Sequence, residues 1–270
     1  MLAGFSMKRV ISLYDYTGEA VRPWAEAGYD CFCYDIQHRH WQWNHPDAIE
    51  QVGQGSITYL KADLHDPKVM DEIYDDHKGE AFFLMAFPVC TDLAVSGAAH
   101  FAKKRAKNPR FQDEATEYAK MCANLADRFG CPYYVENPVS RLATLWRKPN
   151  HSFHPFEYGC YIPLEEAEHP RWPEYIPPRD AYSKKTCLWT SDDFVMPEKC
   201  PVECESFGAS RQHRKLGGKS QKTKNIRSAT PRGFARAVFE ANCPEDVDVE
   251  PFDEYQVDPA EYRGADYGDD

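Results

Sequence analysis

Residues 9–36 read RVISLYDYTGEAVRPWAEAGYDCFCYDI, and their order decides the fold class. Residues 9–14 form a short apolar run that fits a strand. Asp15, Tyr16, Thr17 and Gly18 follow as a tight turn. Residues 19–27 fit a helix, with Pro23 tolerated in its first turn and Gly28 as its stop. Residues 29–36, YDCFCYDI, form a second strand that ends at Asp35. Strand, glycine turn, helix, strand and acid is a layout that nucleoside-type ligands use, with a carboxylate placed for ribose hydroxyls. The full G-x-G-x-x-G pattern is absent.

Downstream the alternation continues. Residues 57–60 predict a third strand, followed by Asp63, and residues 67–76 predict a helix. Residues 81–87, AFFLMAF, are a continuous apolar run ended by Pro88-Val89-Cys90, as expected of a fully buried strand. A helix is expected to begin within 98–106, near the basic cluster His100, Lys103, Lys104, Arg105, Lys107 and Arg110. Residues 111–129 carry Ala115, Tyr118, Ala119, Cys122, Leu125, Ala126 and Phe129 at helical spacing, and Gly130 ends them. A fifth strand over 133–135 leads to Glu136-Asn137-Pro138. This alternation predicts an α/β protein with a doubly wound, mostly parallel sheet.

The organisation is expected in three parts. Residues 1–148 form the cofactor-binding and catalytic half. Residues 149–243 add a loop-rich insert, a basic segment, a strand at 186–189 and a closing helix at 231–239. Residues 244–270 form an acidic tail. The chain has 270 residues and a formal charge of −11. The tail holds eleven Asp/Glu and one Arg, so the body is close to neutral. Residues 199–236 hold ten Lys/Arg against Glu203 and Glu205, and residues 208–225 read as a mobile basic loop. Phe252, Tyr255, Tyr262 and Tyr267 recur within the acidic run. They can anchor the tail on the basic stretch, where it would screen a nucleic-acid surface; a solvated end is the equal alternative.

No run of 18 apolar residues occurs, so no membrane partner is expected. The first residues do not read as a secretory signal, and the ten cysteines are scattered through strand- and helix-like runs. Both features point to a cytoplasmic protein with mostly reduced thiols. Residues 37–55 are dense in His, Trp and Gln. His38, His40 and His45 lack a compact acid or cysteine partner, so no metal is expected. Trp41 and Trp43 are expected to cover a ring or pack the loop. Cys160, Cys187, Cys200 and Cys204 contain only one close pair, and read as reduced thiols rather than a zinc site.

Taken together, these stretches resemble the cytosine-C5 DNA methyltransferases, in particular their small phage-type relatives. Pro88-Val89-Cys90 is similar to the family's Pro-Pro-Cys motif, and Glu136-Asn137-Pro138 to its Glu-Asn-Val motif. Residues 13–18 look like the cofactor loop, Asp35 and Asp63 like the two later acids, and residues 182–189 like the basic motif before a strand. Residues 230–239 look like the closing segment. The departures are Tyr16 for the first loop glycine, Val89 for the second motif proline, Lys184 or Lys185 for an arginine, and no evident long target-recognition domain.

The resemblance implies a Rossmann-like class I methyltransferase fold and S-adenosyl-L-methionine as cofactor. That cofactor would be held by Tyr14, Asp15, Thr17, Gly18, Asp35, Ile36, Asp63 and Pro88. It implies Cys90 as a covalent nucleophile, Glu136 on the cytosine ring, Asn137 shaping the loop and Lys184 or Lys185 steadying the base. The implied substrate is cytosine in DNA. A free pyrimidine nucleotide, another transferred group, or an inactive nucleic-acid- or protein-binding relative stand as alternatives.

Overall fold

A computed structural model describes residues 8–205, 210–217 and 220–244. The acidic tail beyond residue 244 lies outside the described residues, as do 206–209 and 218–219 within the basic segment. The expected docking of the tail on the basic stretch lies outside the described residues.

The chain folds as an α/β protein around one eight-stranded, mostly parallel sheet. Its strands are β1 (Arg9–Leu13), β2 (Asp30–Asp35), β3 (Ile49–Val52), β4 (Gly55–Lys61), β5 (Ala81–Ala86), β6 (Tyr133–Pro138), β7 (His151–Phe153) and β8 (Thr186–Thr190). They lie in the order β3-β4-β2-β1-β5-β6-β8-β7. The strands β4, β2, β1, β5 and β6 run parallel, while β3 and β8 are antiparallel to their neighbours. The chain winds outward from β1 first to β2 and β4, then returns to β5 and β6. That reversal beside β1 is where a doubly wound sheet opens a crevice at its strand ends.

The helices are α1 (Arg22–Glu26), α2 (Pro67–His77), α3 (Phe101–Lys107), α4 (Phe111–Phe129), α5 (Leu142–Leu145), α6 (Arg211–Lys215), α7 (Gln221–Ser228) and α8 (Arg232–Asn242). Side chains alternate across the sheet because successive strand residues face opposite sides. Ile11, Leu13, Phe32, Leu84 and Val135 pack on α2 and α4. Val10, Cys31, Cys33, Phe83, Met85 and Tyr134 pack on α1 and α8. Trp24 of α1 is fully buried and meets Phe83 and Phe239 with ring centroids 5.0 and 5.1 Å apart. The sheet is thus covered on both faces, which is why its central strands read as continuous apolar runs.

Several expectations change. Residues 49–52 are not connection but β3, an edge strand hairpinned to β4. The first helix is shorter than 19–27 and starts at Arg22. The helix expected to begin within 98–106 does so, as α3 from Phe101, but a 3-10 turn over Val95–His100 precedes it. Glu136, Asn137 and Pro138 lie within β6 because β8 pairs with them. The basic segment, expected as a loop, contains α6 and α7. Cys160 and Cys200, expected among the reduced thiols, are joined by a disulfide. That bond leaves neither sulfur to a four-cysteine zinc site. Trp41 and Trp43 do not pack the loop; they are 78% and 61% exposed. Among the described residues, no helix is long and apolar enough to cross a membrane.

Candidate functional site

The ends of β1, β2, β5 and β6 carry most of the residues singled out in the sequence. Tyr14 follows β1 with φ 58°, a left-handed conformation that is uncommon for a non-glycine residue and costly for a bulky one. It turns the chain sharply out of the strand while its hydroxyl donates to the Leu64 carbonyl at 3.2 Å. Asp15 is buried and organises the loop. Its Oδ1 accepts the Thr17 and Gly18 N–H groups at 2.9 and 2.8 Å, and its Oδ2 accepts the Ser12 hydroxyl at 2.8 Å. Gly18 has φ 70°, a backbone conformation that favours glycine, and a Cβ there would press on the tip of the Tyr59 side chain, 2.5 Å from its hydroxyl.

Asp35 ends β2 on the same edge. Its Oδ1 accepts the Gln37 N–H at 2.8 Å, and burial raises its carboxyl above the usual range. Ile36 beside it is 56% exposed. An acid and an uncovered aliphatic side chain at the switch point suit ribose hydroxyls and a base. The loop amides are different: Thr17 and Gly18 spend theirs on Asp15, so these two do not face a ligand. Tyr16 lies over the His38 ring, with centroids 5.7 Å apart and near-parallel planes. Asp63 is exposed and its Oδ1 accepts the His65 N–H, as in an Asx turn.

The second group forms where β5 and β6 lie side by side. Asn137 is 1% exposed and its Nδ2 donates to the Pro88 carbonyl at 3.0 Å, tying β6 to the Cys90 loop. The segment after Cys90 is stitched to the chain after β6 as well. Val95 N–H donates to the Val139 carbonyl at 3.1 Å, and Arg141 N–H to Leu93 at 2.9 Å. Asp92 is engaged by the Lys104 ammonium at 2.5 Å, so it supports the loop.

Glu136 and Lys184 line one narrow cleft with Phe87, Thr186, Thr230 and Pro231. The Glu136 Oε1 is buried and has no hydrogen-bond partner. An uncompensated buried carboxylate is costly, so a site of this kind either keeps its proton or awaits a donor. Burial raises the Glu136 carboxyl, and the Lys184 ammonium opposes that rise. Burial and Glu136 raise the Cys90 thiol, while Lys184 lowers it. These three side chains therefore form one electrostatic unit. Of the two adjacent lysines, Lys184 belongs to it; its Nζ also donates to the Arg227 carbonyl at 3.1 Å. Lys185 does not line the cleft; its charge bears on Cys187 and His154.

Some contributors carry no sequence signal. Arg171, from the insert, pairs with the buried Glu19 at 2.9 Å and donates to the Thr17 carbonyl, bracing the loop after β1. Ser228, the last residue of α7, and Ala229 after it close the cleft beside Thr230, which opens the expected closing segment. A larger cavity, lined by Arg22, Glu26, Arg171, Arg232 and Arg236 among others, includes none of the predicted site residues. No family model and no curated protein matches this chain.

Proposed function

We propose that the protein is a transferase that modifies carbon 5 of a cytosine ring through a covalent Cys90 adduct, on a class I methyltransferase-like fold. The observation that carries this reading is the buried, unpartnered Glu136 Oε1 in electrostatic contact with Cys90 and Lys184. Cytosine presents a ring nitrogen and an amino group that a carboxyl disposed by burial to hold its proton can serve. Glu136 with its proton donates to N3, which draws electrons from carbon 6. The Cys90 thiolate then forms a bond to carbon 6, and carbon 5 becomes nucleophilic. S-adenosyl-L-methionine, when bound, supplies an electrophilic methyl group. Carbon 5 would take that methyl group; water then accepts the carbon-5 proton, the Cys90 sulfur leaves as thiolate and N3 returns its proton to Glu136, which restores the aromatic ring. Lys184 favours the thiolate and balances charge on the ring. Asp35 and Ile36 are the residues that suit the nucleoside end of that cofactor, and Asn137 holds the Cys90 loop in place.

A free pyrimidine nucleotide is the second reading for the substrate. Its support is that the chain after β6 is spent on the core: Phe153 and Tyr158 pack on Phe234 of α8 at 3.9 and 5.2 Å. A base drawn from a duplex must first be unstacked, whereas a nucleotide needs no such step.

The test is transfer of labelled methyl from S-adenosyl-L-methionine to duplex DNA, single-stranded DNA, dCMP and dCTP, read by mass at carbon 5. Label is expected on at least one substrate. Cys90→Ser and Glu136→Gln should each lower the rate by 100-fold or more, on the order of the loss of a nucleophile or proton donor. Cofactor binding by calorimetry should persist in both. Absence of label on all four substrates, with cofactor bound, overturns the reading.

A further inference from the structure

We propose that His40, His45 and Asp47 form a binding site for one divalent transition-metal ion of the zinc class. The sequence offers three histidines here without a close acid; the structure supplies the acid. One ligand-capable atom from each of His40, His45 and Asp47 lies within 4.8 Å of the others. Around a tetrahedral ion with bonds of about 2.1 Å, neighbouring ligand atoms stand about 3.4 Å apart, so small side-chain rotations close the set. His38 is not a member. Its Nε2 donates to the Asp15 carbonyl at 3.0 Å and its ring lies on Tyr16.

The backbone holds these residues in place. The His40 carbonyl accepts the Lys61 N–H at 2.6 Å, which pins it to the end of β4. The His45 N–H donates to Gln42 at 3.1 Å, and its carbonyl accepts Ala48 N–H at 2.9 Å. Pro46 begins the 3-10 turn Pro46–Ala48 that carries Asp47. The two imidazoles stack with centroids 3.9 Å apart and both are partly buried. The His45 Nδ1 accepts the Asp47 N–H at 3.2 Å, so that nitrogen is unprotonated and offers a lone pair. An ion takes over that lone pair at the loss of one hydrogen bond.

Two imidazoles and one carboxylate select zinc and its later first-row neighbours over calcium and magnesium, which require oxygen shells. Three protein ligands leave a fourth position to water. Trp41 and Trp43 lie between the ligands in the chain and are strongly exposed. Ion binding fixes the segment that presents them, beside the Asp35 end of β2. This site does not depend on the transferase reading.

Untagged full-length protein, freed of metal by chelator and dialysis, is titrated with zinc chloride in a calorimeter. One ion per chain is expected, with a change in tryptophan emission on saturation. His40→Ala, His45→Ala and Asp47→Asn should each weaken binding at least tenfold. Asp47→Asn, whose exposed carboxylate makes no hydrogen bond or ion pair among the described residues, should leave metal-free unfolding unchanged. Cobalt(II) should give visible d–d bands of a nitrogen and oxygen set. No saturable zinc binding, binding retained in the histidine variants, or a near-ultraviolet thiolate-to-cobalt band would each overturn the site.

Discussion

Asp180 is 1% exposed and stands before α8, where its Oδ2 accepts the Gly233 N–H at 3.1 Å. Burial pushes its carboxyl from 3.8 up to about 6, with the Gly233 bond and Arg232 only partly opposing. A carboxyl that holds its proton more tightly when folded stabilises the fold fully below its unfolded value. That contribution is lost as pH rises through 6. A rise from 3.8 to about 6 is worth about 3 kcal/mol at neutral pH. Asp180→Asn keeps an acceptor for Gly233 and tolerates the local φ of 52°. Urea unfolding from pH 4 to 7 should show a fall in wild-type stability that the variant lacks by up to about 3 kcal/mol. Equal pH slopes would remove Asp180 as the source. Nothing in the surrounding sequence marks this residue: its burial follows from the insert folding back onto α8. Cys90 and Glu136 were legible because a buried strand and a motif-like strand end flank them.

At the scale of elements, α8 approaches the turn Pro155–Tyr161 so closely that only glycine fits between them. A Cβ on Gly233 would stand 2.2 Å from the Tyr158 carbonyl oxygen, which is backbone and cannot rotate away. Gly233→Ala should therefore destabilise by about 2–4 kcal/mol through forced displacement of the helix. Gly130→Ala is the control. Gly130 caps α4 with φ 68° and has open space around it, so strain alone should cost about 1 kcal/mol. Chemical unfolding compares them, and equal losses would mean that α8 does not pack so tightly. The elements legible in sequence were those marked by an apolar run or a helical apolar period: β1, β2, β4, β5, β6, β8, α2, α4 and α8. β3 was hidden because Glu50 and Gln51 give it a polar surface on an edge. α7 was hidden because only Thr223 and Ile226 are buried, too few to mark a stripe. Its local signal is Ser220, whose hydroxyl accepts the Thr223 N–H at 3.2 Å.

At the scale of the whole molecule, the parallel winding brings distant strand ends to one edge, and that much follows from alternation alone. The choice of Lys184 over Lys185 does not, because it depends on how the chain enters β8, whose register is set by pairing with β6. The closure of residues 149–205 onto the sheet has the same character: it is tertiary and includes the Cys160–Cys200 bond, across 40 residues of chain. A cross-link of that span restricts the unfolded chain by about 4 kcal/mol in the entropic account. The same two segments are also held without it. Cys160 N–H donates to the Cys200 carbonyl at 3.2 Å, Cys200 N–H to Glu157 at 2.9 Å, and Val202 N–H to Phe156 at 2.9 Å. Lys199 adds an ion pair to Glu157 at 2.7 Å. Reduction should therefore leave the fold in place and lower its stability by about 2–4 kcal/mol. Peptide mapping of unreduced protein should recover Cys160 linked to Cys200. Far-ultraviolet circular dichroism should not change with dithiothreitol, whereas the denaturation midpoint should fall. Cys160→Ser should show the lower midpoint without reductant and no further response to it. If the map returns both cysteines unlinked and reductant leaves the midpoint in place, the backbone bonds alone hold these segments. The link then contributes nothing to the isolated protein.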